Sequence, residues 1–110
     1  MVTKAEIKKT LSEIKALDKA SQIVITDYDL RDGLYLKMAS KMDVLIRRII
    51  EERELSDFCE KELKESLKEI RSHIKTIDDY EKAIYCGEEY DLSADINIAV
   101  MKIQALVVTN

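Results

Sequence analysis

Apolar residues recur along most of this chain at intervals of three and four, the spacing that gathers them on one face of an α-helix. Ile7, Leu11, Ile14 and Leu17 form the first such stripe, with lysines and glutamates between them. It opens on Thr3-Lys4-Ala5-Glu6, a capping box in which Thr3 and Glu6 satisfy each other's free backbone donors. The pattern predicts a helix over about 4–20. Ser21 to Thr26 then breaks the period with four β-branched residues in a row. Such a run favours a buried, extended connection over a helix interior.

The second stripe is Leu30, Leu34, Met38, Met42, Leu45 and Ile49, widened by Tyr35, Ile46 and Ile50. Thr26, Asp27 or Asp29 caps it, and its acidic first turn suits the positive end of a helix dipole. Gly33 inside a helix costs about 1 kcal/mol, which makes Leu34 an alternative start; the end falls near Glu54. Ser56-Asp57 restarts the chain, and Leu63, Leu67, Ile70, Ile74 and Ile77 alternate spacings of four and three like a heptad seam. That stripe continues to Ile84 and stops at Gly87, predicting a helix over about 57–86, with a possible kink at the cap-like Thr76-Ile77-Asp78-Asp79. Asp91 or Ser93 caps a last helix over about 92–108, whose stripe is Leu92, Ile96, Ala99, Ile103 and Leu106, broadened by Val100 and Val107.

Two glycines and no proline among 110 residues leave too little turn chemistry for a sandwich, barrel or doubly wound sheet. The expected fold is all-α, a single domain over 1–110. Short connections make it an antiparallel up-down-up-down four-helix bundle with a long central helix 2/helix 3 hairpin. Helices 2 and 3, at nearly 30 residues, outreach helices 1 and 4, at about 17. Topology aligns both short helices with the opposite end of the long pair, so the hairpin tip should project. Ile46, Ile49, Ile50, Leu55, Phe58 and Leu63 lie there, with Cys59, and exposed apolar surface of that kind marks an association site. Homodimerisation is its simplest form.

A net charge of −4 disfavours nucleic acid, whose binders concentrate Lys and Arg against phosphates. The acidity is concentrated: between Thr76 and Asp95 seven carboxylates face one lysine, Lys82, a pattern typical of a solvated helix end. No apolar run is long enough to span a bilayer. The chain turns charged at Lys4, unlike a secretory signal. Cys59 and Cys86, without metal or redox spacing, suit a reducing cytoplasm.

Catalytic constellations are sparse. His73 is the single histidine, and a surface ion pair with Glu69 explains it. No Glu-x-x-His occurs, so a di-iron bundle is excluded. Asp27 to Gly33 departs from a calcium loop, because its glycine falls one place late and Met38 holds the position of the bidentate glutamate. Tyr80, Tyr85 and Tyr90, with Tyr28 and Tyr35, sit near helix boundaries, where packing is the default role.

Two partial likenesses remain. Glu62-x-x-Glu65 followed by Glu88-x-x-Asp91 is similar to the carboxylate pattern of the all-α nucleoside triphosphate pyrophosphatases. That resemblance implies Mg²⁺ held by Glu62, Glu65, Glu88 and Asp91, although Glu88 and Asp91 here adjoin the Gly87 break. Asp43, Arg53 and Lys64 resemble in spacing the first helix of helical chorismate mutases, which requires one unbroken helix where this chain has the Ser56-Asp57 cap. Neither likeness covers more than a third of the chain. The leading expectation is therefore a non-enzymatic, cytoplasmic, protein-binding bundle without cofactor, an adaptor, inhibitor or regulatory subunit of the kind that phages and mobile elements also carry. The metal-dependent hydrolase is the alternative.

Overall fold

The computed structural model describes residues 2–24, 27–77 and 88–109. They form four helices and no strand: α1 (Lys4–Ile23), α2 (Tyr28–Glu52), α3 (Asp57–Ile77) and α4 (Glu88–Thr109). α1 packs on α2 and α3 on α4, while α2 also meets α3 and α4. The molecule measures 41 × 23 × 19 Å, and its long dimension matches the ~38 Å that a 25-residue α2 spans at about 1.5 Å per residue.

The helix starts follow the sequence signals. Thr3 Oγ1 accepts from the Glu6 amide at 3.1 Å and the Glu6 carboxylate accepts from the Thr3 amide at 3.2 Å, completing the capping box. Val2 and Ile7, at the N′ and N4 positions of a hydrophobic staple, are both buried in the core. Asp27 caps α2, accepting from the Leu30 amide at 3.1 Å, and Ser56 Oγ caps α3 through the Cys59 amide at 3.2 Å.

Several boundaries differ from expectation. α1 extends beyond its expected end near residue 20 to Ile23, the first of the four β-branched residues, which is left 81% exposed. Ser21, expected in a linker, is instead a buried helical residue whose hydroxyl donates to the Asp18 carbonyl at 2.6 Å. That bond satisfies the one polar group the site buries, so the helix is not interrupted. α2 includes Gly33, and Leu30 faces outward instead of inward. α4 begins one turn before Leu92, with Asp91 and Ser93 inside it instead of capping it; acidic residues in a first turn stabilise such an extension. The expected end of α3 near Cys86 and its stop at Gly87 lie outside the described residues.

Each helix sends one stripe into a common core: Ile7, Leu11 and Ile14; Met38, Met42 and Ile49; Leu63, Leu67 and Ile70; Ile96, Val100 and Ile103. Ion pairs register the helices against one another. Glu6 pairs with Arg48 at 3.3 Å and Glu13 with Lys41 at 2.9 Å, so advancing along α1 means retreating along α2. Asp43 on α2 accepts from Arg47 at 2.8 Å and from Arg71 of α3 at 2.9 Å. Burial pushes the Asp43 carboxyl up, but the hydrogen bonds and charges of Arg71 and Arg47 outweigh it and hold it below the ordinary aspartate range.

This registry overturns the expectation of a projecting hairpin. The four helices have 20, 25, 21 and 22 described residues. The start of α1 reaches the last turns of α2, as the Glu6–Arg48 pair shows. Ile46, Ile49 and Leu63, expected to be exposed, are consequently core residues, and Ile50, Leu55 and Cys59 are half-buried against that core.

Two outcomes test this packing. A Cβ added at Gly33 meets nothing within 4 Å, so Gly33→Ala should stabilise the fold by about 0.5–1 kcal/mol, read as a higher urea midpoint. Because the Asp43 pKa is depressed, its stabilisation is present above the unfolded aspartate pKa of about 4 and is lost as pH falls through the lower folded value. Asp43→Asn should therefore cost about 0.5–1 kcal/mol near neutral pH and nothing measurable in strong acid, as paired denaturation curves would show.

Candidate functional site

Of the apolar residues at the α2/α3 turn, Phe58 alone stays in solvent among those described, at 71% exposure. The Ser56 cap fixes the first turn of α3 and places Phe58 one position into the helix, off the Leu63–Leu67–Ile70 stripe. It borders an open cleft of about 290 Å³ between the start of α3 and the end of α4, walled by Cys59, Glu62, Leu63, Lys102, Ala105 and Leu106. That volume stands at the lower limit of small-molecule sites, roughly 300–1,000 Å³. Its walls are aliphatic and aromatic apart from one ion pair, so it suits an apolar side chain better than a polar substrate.

The ion pair is built from the helices that frame the cleft. The Lys102 ammonium donates to Ser66 Oγ at 2.9 Å and to the Glu62 carbonyl at 3.3 Å, and lies 3.2 Å from the Glu62 carboxylate. Three donors thus find three acceptors, and the buried Ser66 hydroxyl is partnered. Following α4 from Lys102 to Leu106, the neighbours on α3 run back from Ser66 to Phe58.

The residues suggested for metal or substrate chemistry are not gathered here. Glu62 is engaged by Lys102, while Glu65 lies on the exposed side of α3. Glu88 and Asp91 occupy the first turn of α4, and their side chains lie outside the described residues, as do those of His73, Cys86, Tyr80, Tyr85 and Tyr90. Among the described residues no group of three His, Cys, Asp or Glu side chains could hold a metal ion. The unbroken helix that the chorismate mutase likeness requires is absent: α2 ends at Glu52 and α3 begins at Asp57. Asp43 pairs with Arg47 and Arg71, and Lys64 with Glu60. Tyr35 is buried in the core.

Sequence reasoning found Phe58 and Leu63 but missed Lys102, Ala105 and Leu106 as parts of one site. The signal was a lone lysine in the otherwise uncharged stretch from Ile96 to Thr109. No helix among the described residues is long and apolar enough to cross a membrane. No protein-family model, curated protein or solved structure matches this chain.

Lys102→Met tests the clamp. It strands the buried Ser66 hydroxyl and should cost about 1–3 kcal/mol in chemical denaturation, whereas an exposed ion pair alone would cost less than about 1 kcal/mol.

Proposed function

We propose that the chain is a non-enzymatic protein-binding module, an adaptor, inhibitor or regulatory subunit, whose four helices form an antiparallel up-down-up-down bundle. The observation that supports this reading is the exposed Phe58 ring beside an apolar cleft. A large aromatic side chain held on a fixed helix next to a pocket is the usual composition of a binding hot spot. Among the hairpin-tip residues docking falls to Phe58 beside the cleft, because Ile46, Ile49 and Leu63 are buried. The occupant is protein, since the walls offer apolar contact and a neutralised ion pair but no unshared cationic cluster for phosphate. Self-association is the simplest version, as two-fold dimers are the commonest oligomers. The free, half-buried Cys59 thiol suits a reducing cytoplasm.

Phe58→Asp should lower the apparent mass in light scattering while leaving the helical circular dichroism unchanged. A mass that does not move in a protein that self-associates would rule out Phe58 as part of the contact.

A further inference from the structure

α4 carries a second apolar face. Ala94, Ile98, Met101 and Ala105 follow one another at spacings of four, three and four, so they share one side of the helix, opposite the stripe that enters the core. All four are exposed, Ile98 by 48% and Met101 by 69%. The charges that cover the outer sides of the other helices are missing. From Ile96 to Thr109 the single charged residue is Lys102, and it turns toward α3. Helices that are apolar all round are normally covered all round.

Two features of the stripe specify what covers it. Alternating spacings of four and three make a coiled-coil seam, whose complement is another helix. The stripe also reads identically in both directions: small, large, large, small, at four, three and four. We infer that α4 pairs antiparallel with α4 of a second copy of this chain, about a two-fold axis lying between Ile98 and Met101.

In this register Ala94 faces Ala105 of the second copy, and Ile98 faces its Met101. Alanines at both ends let the helices approach, and the two large pairs fill the middle. The flanks agree with the same register. Asn97 comes alongside Gln104 of the second copy, so matched amides meet across the seam, while Lys102 stays with Glu62 and Ser66 of its own chain.

The inference rests on the self-association reading and moves the centre of contact from Phe58 to α4. Phe58 borders the cleft beside Ala105 and so lies at the end of the seam, near Ala94 of the second copy. The 22 residues of α4 extend ~33 Å and present a strip about 10 Å wide, a footprint of roughly 330 Å². That is under half of the ~800 Å² that each partner gives a standard interface. The dimer is accordingly a weak one.

Sedimentation across low to several hundred micromolar chain tests this with two variants, Ile98→Lys and Met101→Glu. Both positions are exposed, and each occurs twice in the seam, so either substitution alone should weaken the dimer by about tenfold or more. Mixing the two variants should restore association, because only an antiparallel pairing sets position 98 of one chain against position 101 of the other. Circular dichroism checks that both stay helical. Should either fail to fold, Ile98→Gln and Met101→Gln remove apolar area without adding charge and should still weaken association. A wild-type chain that stays monomeric throughout overturns the seam, as does a mixture that shows no recovery. If Phe58→Asp dissociates the protein while the α4 variants do not, the seam fails and the Phe58 reading stands; the reverse result removes Phe58 and keeps the seam.

Discussion

The structure depends on one imbalance: α4 has more apolar surface than its three neighbours can cover. A helix in a four-helix fold buries a stripe roughly 100° wide and leaves the remainder to water. α1, α2 and α3 fill most of their outer faces with lysine, arginine, aspartate and glutamate, leaving Ile23, Leu30, Val44 and Phe58 as scattered exposed apolar residues. α4 does not, since Ile98 and Met101 stand where charged residues would be expected. Its inner stripe, Ile96, Ala99, Val100, Ile103 and Leu106, is complete without them, so the outer face adds nothing to the stability of an isolated chain.

Polar contacts decide how the apolar stripes are brought together. Exposed ion pairs such as Glu6–Arg48 and Glu13–Lys41 are each worth less than about 1 kcal/mol. Their value lies in registry, because a shift by one turn would separate both pairs at once. Asp43, shared between Arg47 and Arg71, does the same for α2 and α3. Lys102 does it for α3 and α4, and its position sets the opening of the cleft. The same clamp leaves α4 a neutral outer face, because it draws the helix's lone C-terminal charge inward.

Periodicity made the four helices and most of the core legible, since Ile7, Met38, Leu67 and Ile103 announce their faces by spacing alone. What it could not supply was relative length and register. The β-branched run from Ile23 argued for a break beginning at Ser21, whereas α1 continues three residues further and ends at Ile23, with Ser21 buried on its inner side. The acidic residues near Glu88 suggested a solvated helix end or loop before Leu92, and they begin the helix itself. Those two misjudged ends made the outer helices look short; the tip looked bare because the register was not legible, and the start of α1 in fact reaches Arg48 near the end of α2. Phe58 survived the error because its exposure comes from its place in the first turn of α3, independent of how far the neighbours reach. The second α4 stripe escaped notice for a different reason: the inner stripe already accounted for an amphipathic helix, and the residues between its members were taken as surface.

Size makes a uncharged outer face consequential. A chain of 110 residues buries only about two thirds of the surface it exposes when unfolded, so its core is modest. Apolar surface left over on a small domain is either a liability for aggregation or an interface. What separates the two is whether the surface closes upon itself. A flat apolar patch without direction can stack indefinitely, whereas a stripe that is its own mirror in sequence order terminates at two copies, since each uses up the other's face. In the proposed pairing the exposed residues of α4 favour a closed pair over open-ended assembly, with Phe58 and its cleft at the margin of that pair.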